Sequence, residues 1–513
     1  MNLRLVVNQL GLLLLAIAAG FAGLAGFALL QATFEEHAPS ERAAAAAFAI
    51  AAGVGLVAGG VPWLLTRTAD RRLGRREALL LVGLTWILGG ALAALPYRLW
   101  AAMDPVIGPE QPFHRFVDCW FEAISGLTTT GATVLSAIGE LPPSMLLWRS
   151  ITHWLGGLGI VVLFVAVLPS LGTGGKRLFR VEAPGPRHEG VRPHIRETSR
   201  ILWMIYLVLT GACFLGYLVF GMTWFDALCH AFSTVSTGGL STRDASIGHY
   251  DSIGIDAVAI VFMLAAGVNF HLYYHVSQGR WRPLWTDVEL RVYLISKLLV
   301  LGVILVPLIG STMTLTTGET VPGSFGTALR HASFTVVALH TGTGFGTVDY
   351  NLWPAFVKML LVGTMFVGGC AGSTAGGIKV IRLWIAIKIM AAELEKAFRP
   401  DVVRPIRIGG TTVDPELKLS VMAFLIGFLI MLLGGAAAVH VAEGGRADTL
   451  TSLSAALSCI ANVGPGVHAV GPTANYGWMT PASKLVLAML MVLGRLEFFA
   501  IVVLVTPRFW RGG

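Results

Sequence analysis

Four short segments, SGLTTTG, FSTVSTG, ALHTGTG and SCIANVG, each end on a glycine that follows small or hydroxylated residues. Those glycines are Gly131, Gly238, Gly344 and Gly464, at intervals of 107, 106 and 120 residues. Each segment follows a moderately apolar stretch and lies between two longer apolar runs. One TTTG or STGG alone carries no signal, but a near-constant interval marks a repeated unit. Four copies of helix, re-entrant loop and helix around one axis make a four-sided pore.

The setting is a membrane. Of 513 residues, 55% are hydrophobic and 13% charged, against about 25% charged in soluble domains, and the mean hydropathy is +0.72. Ten apolar spans are expected, near 5–31, 44–66, 79–99, 146–169, 201–220, 254–275, 291–310, 355–378, 418–440 and 483–506. Each approaches the roughly 20 apolar residues that a crossing helix needs. The first is too long for a signal peptide and lacks a cleavage site.

Basic residues set the expected orientation. Arginines crowd 67–78 (Arg67, Arg71, Arg72, Arg75, Arg76), and Lys176, Arg177, Arg180, Arg187, Arg192, Arg196 and Arg200 fill 172–200. A third basic stretch, 379–418, holds Lys379, Arg382, Lys388, Lys396, Arg399, Arg404, Arg407 and Lys418. By the positive-inside rule these loops are cytoplasmic, which puts both termini in the cytoplasm and all four glycine segments on the outer side. The net charge of +8 is then a matter of topology, and no nucleic-acid partner is implied. Cys119, Cys213, Cys229, Cys370 and Cys459 are scattered without a CxxC pair, so buried thiols are expected rather than disulfides.

Such loops suit a dehydrated monovalent cation. Its lost hydration must be replaced, and rings of backbone carbonyls do this in potassium filters. Aiming successive carbonyls at one axis needs backbone conformations that glycine reaches at little steric cost. Short helices at 113–126, 224–234, 325–338 and 449–460 would present their negative C-terminal ends to the ion. The windows 125–134, 232–241, 338–347 and 458–467 contain no Asp or Glu.

Two other features invite functional readings. GGCAGSTAGG (368–377) interrupts the eighth span with Gly368, Gly369, Gly372, Gly376 and Gly377. Each costs a helix about 1 kcal/mol relative to alanine, so a broken helix and an intramembrane loop beneath the glycine segments are expected; close packing through small residues is the alternative. Arg495 stands mid-span, where a cation costs at least about 2.5–3.5 kcal/mol; a buried pair with Glu497 would be its structural explanation. His153, His230, His271, His331 and His340 show no metal-binding spacing, and His340 reads as a hydrogen-bonded helix residue before a pH sensor. Clustered acids, a nucleophile with its base, and HExxH are all missing from the spans, so no enzyme is expected. GTGGK (172–176) lacks the spacing and hydroxyl of a Walker loop, so the chain has no nucleotide fold of its own.

The chain resembles the TrkH-type subunits of bacterial potassium uptake systems, in the superfamily that also holds KtrB and the plant HKT transporters. The resemblance is carried by WLGGLGIVVLFVAVLP (154–169), VEAPGP (181–186) with TSRILWMIYLVLT (198–210), GVNFHLYY (267–274), FVGGCAGSTAGGIKVIR (366–382), RPDVVRPIRIGG (399–410), ANVGPG (461–466) and VLGRLEFF (492–499). It implies an all-α polytopic membrane protein of the bacterial inner membrane. An N-terminal helix pair (1–70) would precede four membrane–pore-helix–membrane repeats at 71–175, 176–285, 286–400 and 401–513. It further implies a homodimer with one pore per subunit, regulated by a cytoplasmic TrkA-type nucleotide-binding partner. No cofactor is implied; potassium is the transported ion.

Carried over by position, the filter is Thr129-Thr130-Gly131, Ser236-Thr237-Gly238, Gly342-Thr343-Gly344 and Asn462-Val463-Gly464. In this superfamily serine in place of the first-loop glycine goes with sodium permeation, so Gly131 argues for potassium. Gly342, where threonine is commoner, would soften selectivity, and Leu240 replaces a usual phenylalanine. The resemblance makes the glycine-rich segment a gate (Gly368, Gly369, Gly372, Ser373, Thr374, Gly376, Gly377, with Lys379 at its end) and Arg495 an electrostatic barrier beneath the filter. The rival readings are the potassium-binding KdpA-like subunit of an ATP-driven pump and a less selective transporter of potassium and sodium.

Overall fold

In the computed structural model, residues 1–34, 38–68, 74–166, 191–402 and 405–511 are described. GTGGK, VEAPGP, the basic residues of 172–190, Arg71, Arg72 and Arg404 lie outside the described residues.

The chain opens on helices α1 (Leu3–Gln31), α2 (Ala38–Thr66) and α3 (Arg75–Met103), each of 29 residues. Such a helix is about 43 Å long, more than the roughly 30 Å of a hydrocarbon core. Helices α1 and α2 pack closely because small residues face each other. A Cβ on Gly11 would lie 2.7 Å from the Gly59 carbonyl oxygen, and one on Gly59 would lie 2.7 Å from that of Gly11. In lipid, where burial of apolar groups drives little, this close backbone approach is what holds two helices together.

A long–short–long order then recurs. Short helix α4 (Phe116–Leu127) lies between α3 and α5 (Pro143–Ala166); α7 (Trp224–Val235) follows α6 (Val191–Val219) and precedes α8 (Ile253–Ala266) with α9 (Phe270–Ser277). A short helix α10 (Arg282–Thr286) leads to α11 (Val288–Leu308), α12 (Phe325–His340), α13 (Ala355–Met365) and α14 (Val380–Phe398). The last set is α15 (Pro415–Glu443), α16 (Thr449–Ile460), α17 (Pro481–Arg495) and α18 (Phe499–Val505), closed by α19 (Pro507–Trp510). Two small hairpins, β1 (Thr312–Thr314) with β2 (Thr320–Pro322) and β3 (Arg407–Ile408) with β4 (Thr411–Thr412), are antiparallel.

Three of the four short helices, α7, α12 and α16, begin on a side-chain cap. The side chains of Thr223, Ser324 and Asp448 accept the N–H groups of Asp226, Thr327 and Thr451 at 3.1, 3.2 and 3.0 Å, satisfying donors that a helix start leaves open. Each short helix also touches the set before it: α7 packs on α5, α12 on α8, α16 on α13, and α4 on α17. The last contact joins the two ends of the series, and a buried ion pair between Asp118 of α4 and Lys484 of α17 secures it.

Among the described residues six helices have the length and apolarity to cross a membrane, and two bent pairs add up to two more. The fourth expected span reaches the limit of the described residues at Ala166. Three expected spans are broken. The eighth stops at Met365, as its glycines require. The sixth turns by 94° between Ala266 and Phe270, and the tenth by 118° between Arg495 and Phe499; neither was expected to be discontinuous. At the first of these Gly267 ends one helix and Asn269 caps the next, accepting from His271 at 2.9 Å.

Replacing Lys484 by Met leaves Asp118 buried without its partner, a change that costs about 3–5 kcal/mol. The melting temperature in detergent is expected to fall accordingly, and Asp118→Leu added to Lys484→Met to restore most of it.

Candidate functional site

Each short helix ends in the same way. After the C-cap residues Thr128, Ser236, Thr341 and Ala461 comes a left-handed residue: Thr129 (φ 53°), Thr237 (56°), Gly342 (75°) and Asn462 (53°). The next N–H turns back to a helix carbonyl: Thr130 to Ser125 at 2.9 Å, Gly238 to Ser233 at 2.8 Å, Thr343 to Ala338 at 2.9 Å and Val463 to Ser458 at 2.9 Å. This is the usual way for a helix to stop, through glycine or asparagine. A β-branched threonine in that conformation is strained, so Thr129 and Thr237, each 1% exposed, are held there by what surrounds them.

A second left-handed residue follows: Gly131 (φ 82°), Gly239 (79°), Gly344 (74°) and Gly464 (98°). The second segment therefore differs from the sequence expectation by one position. Its triplet is Thr237-Gly238-Gly239, not Ser236-Thr237-Gly238. Gly238 matches Thr130, Thr343 and Val463 in its hydrogen bond, and Ser236 is the helix cap. Two adjacent glycines hid the register, since only the backbone conformation distinguishes them.

These glycines face one another in a cycle. A Cβ on Gly131 would fall under 3.0 Å from the carbonyl oxygen of Gly238, on Gly239 from that of Thr343, on Gly344 from that of Val463, and on Gly464 from that of Thr130. Each segment thus lays its glycine against the peptide before the next segment's glycine, and the fourth returns to the first. Any side chain at these positions would displace a carbonyl of the ring. Gly342 is less crowded, its hypothetical Cβ meeting the Asn462 oxygen at 3.1 Å, although its left-handed φ of 75° still disfavours a side chain.

Side chains lock the ring from behind. Thr128 and Thr130 hydroxyls are 2.7 Å apart, and those of Thr341 and Thr343 2.8 Å. Asn462 Nδ2 donates to Thr130 Oγ1 at 2.9 Å and to the Met491 carbonyl at 3.0 Å. The Gly464 carbonyl accepts from Ser458 Oγ at 2.6 Å and from the Tyr476 hydroxyl at 2.9 Å. Glu122, buried in α4, accepts from Thr133 Oγ1 and the Val134 N–H, each at 3.0 Å, and from Arg149 Nε at 2.9 Å. Arg149 Nη1 then reaches the Ser241 carbonyl at 3.2 Å, tying the first segment to the second. At the place of Glu122 in α7 stands His230, whose Nε2 lies 2.9 Å from Ser241 Oγ. Sequence reasoning passed over Glu122 and Arg149; two carboxylates, Asp118 and Glu122, within one short and mainly apolar helix were the signal available.

Outside the ring a cavity of about 140 Å³ is lined by residues of all four segments, including Gly131, Gly239, Gly344 and Gly464, with Asp244 and Arg243 at its wall. Arg243 is paired with Asp226 at 2.9 Å. Among the described residues no group of three or more His, Cys, Asp or Glu side chains is placed to hold a metal ion. What the ring offers an ion is uncharged backbone oxygen.

On the other side lies the glycine-rich segment. It leaves the helical path after Met365, and its base is a short ladder in which the Gly368 N–H donates to the Ile378 carbonyl at 2.7 Å and the Ile378 N–H to that of Phe366 at 3.1 Å. The chain is so tight here that a Cβ on Gly368 would strike the Gly376 oxygen, and one on Gly376 would lie 2.7 Å from Asn462 Cβ. Gly372 and Gly377 are left-handed, at 71° and 69°. Gly369 abuts Gly267, Ser373 Oγ donates to the Cys370 carbonyl at 2.6 Å, and Lys379 Nζ donates to that of Ala375 at 2.8 Å. Thr374 Oγ1 lies within hydrogen-bond reach of two helix-end carbonyls, Val235 at 3.1 Å and Ala266 at 3.2 Å.

Arg495 is 2% exposed and donates to the Thr374 carbonyl at 2.7 Å and the Gly156 carbonyl at 3.0 Å. The pair with Glu497 that would have explained it is not formed. Glu497 binds Arg382 at 2.6 Å instead, because the chain turns sharply at residues 496–498 and sends the carboxylate away. His340, at the end of α12, lies 3.5 Å from Ser296 Oγ through Nε2.

Helices of membrane-crossing length around a ring of uncharged backbone define a multi-pass membrane transport protein. The chain belongs to the TrkH family, described as a cation transport protein, whose profile matches residues 45–511. It is 37% identical to the Trk system potassium uptake protein TrkH of Halomonas elongata, with 100% of each chain covered. It is 36% identical to the TrkG protein of Escherichia coli over 88% of this chain and 89% of that one. The crystal structure of the potassium transporter TrkH from Vibrio parahaemolyticus superposes with a TM-score of 0.86 at 33% identity, each chain covered in full.

Alanine substitutions are expected to rank by the carbonyl they meet. Gly131→Ala, Gly239→Ala and Gly344→Ala combine a left-handed backbone with overpacking worth about 1–3 kcal/mol each and should abolish the preference for potassium over sodium in liposome flux. Gly342→Ala should retain most of it.

Proposed function

We propose that this chain takes up potassium across the bacterial inner membrane through the ring of four glycine segments. The observation that carries this reading is the closed cycle of glycine against carbonyl, which brings backbone of four segments together without a charged side chain. A monovalent cation stripped of water is stabilised there by carbonyl dipoles and by the C-terminal ends of α4, α7, α12 and α16. The four long–short–long sets would be four membrane–pore-helix–membrane repeats around one pore. The family relatives named as potassium uptake proteins support the choice of ion, and so does glycine at position 131.

The glycine-rich segment and Arg495 are the gate and the barrier in this reading. A guanidinium beneath the ring repels a cation that has passed it. Its bond to the Thr374 carbonyl makes the two features one device, so that moving the segment moves the charge. Both termini face the cytoplasm, where the basic loops lie, and the chain acts as a homodimer with a TrkA-type nucleotide-binding partner.

The test is flux into liposomes carrying the purified chain, with an outward potassium gradient and potassium, rubidium and sodium compared. Rubidium and potassium uptake well above sodium is expected, together with sodium entry once Gly131→Ser is made. Deleting 370–376 should raise basal flux. Equal sodium flux in the unmodified chain would instead favour the less selective transporter, with Gly342 as its cause. Silence even with the partner and nucleotide present would return the pump-subunit reading.

A further inference from the structure

We infer that Glu289 is a positioning residue that clasps the glycine-rich segment closed, an inference that rests on reading that segment as the gate. Glu289 lies in the first turn of α11, next to Asp287, which caps the helix by accepting the Leu290 N–H at 2.7 Å. The carboxylate is buried, and a single oxygen, Oε1, accepts two backbone N–H groups, Ala371 at 2.8 Å and Ile381 at 3.2 Å. Ala371 belongs to the segment and Ile381 to the first turn of α14, just past the segment's end.

The geometry has a definite consequence. A run so rich in glycine has few side chains to pack and the largest backbone entropy to lose, so its shape depends strongly on its surroundings. The tip is fixed by Arg495 on the Thr374 carbonyl. The base is fixed by its own ladder, continued by the Val380 N–H to the Gly369 carbonyl at 3.2 Å. Beside the base, Glu289 ties the segment at Ala371 to the start of α14 at Ile381. Bonds to a carboxylate are charge-assisted and stronger than those between neutral groups. One oxygen cannot keep both when Ala371 moves away from α14, so opening must break the clasp, and an intact clasp biases the segment toward closure. Because Glu289 is carried by α11, a shift of that helix reaches the segment directly, without passing through the ring.

The experiment compares the full chain with Glu289→Gln and Glu289→Ala by amide hydrogen exchange over 367–383 and by rubidium and sodium flux from liposomes without the partner. Glu289→Gln keeps the size and an acceptor but loses the charge. Exchange at Ala371 and Ile381 is expected to accelerate several-fold in Glu289→Gln and further in Glu289→Ala. Basal rubidium flux should rise in the same order, with the rubidium-to-sodium ratio unchanged because the ring is untouched. A residue with only a structural role would lower flux and disturb selectivity as the protein loosened, and that result overturns the inference. Unchanged exchange in Glu289→Gln also overturns it, whether or not Glu289→Ala folds. Faster exchange with unchanged flux would leave the clasp standing and sink the gate reading instead; deletion of 370–376 is the control for that case.

Discussion

The contact on which the structure depends is one that only a missing atom permits. At Gly131, Gly239, Gly344 and Gly464 the absence of a Cβ lets one backbone lie against the carbonyl of the next. Everything else can be read as support for that approach. Four helices stop at left-handed residues to deliver the segments. Hydroxyls, Glu122, Arg149 and Tyr476 brace them from behind. The outer helices pack against neighbouring short helices so that the cycle closes. Irregular backbone at membrane depth is tolerable only where it lines a cavity or is buried in protein, and these segments have both.

Charge is used sparingly and always with a partner or a task. The ring itself has none. The buried pairs Asp118–Lys484 and Glu122–Arg149 join elements that belong to different parts of the chain, and leaving either member alone in a dry interior is expensive. Arg495 differs: it spends its donors on two backbone carbonyls, one of them in the glycine-rich segment. A cation satisfied by neutral groups keeps its field, whereas one paired with Glu497 would have lost most of it.

Much of this was legible in the residues, and the failures have physical causes. The short helices were visible because their length and their place before each glycine segment are local properties, and the break after Met365 because five glycines cannot sustain a helix. The register of the second segment was not, since Gly238 and Gly239 are interchangeable until φ is known. The turns after Ala266 and Arg495 were missed because the apolar run continues through both, and hydropathy does not sense backbone direction. Glu289 was invisible for a different reason: its two partners lie 82 and 92 residues away and are backbone groups, which leave no trace in side-chain pattern.

The ion pair between Asp118 and Lys484 spans 366 residues, and the fourth ring segment ends at Gly464. A chain emerging from the ribosome has therefore made three of its four ring segments, and most of its spans, long before the cycle can close. Contacts that join distant parts of a chain come late and carry the cost of closing a long loop. The ring is thus among the last things this protein assembles. A truncated or half-inserted product lacks the fourth side of the ring and the lysine that pairs with Asp118, so the cycle of glycine against carbonyl forms only in the finished chain.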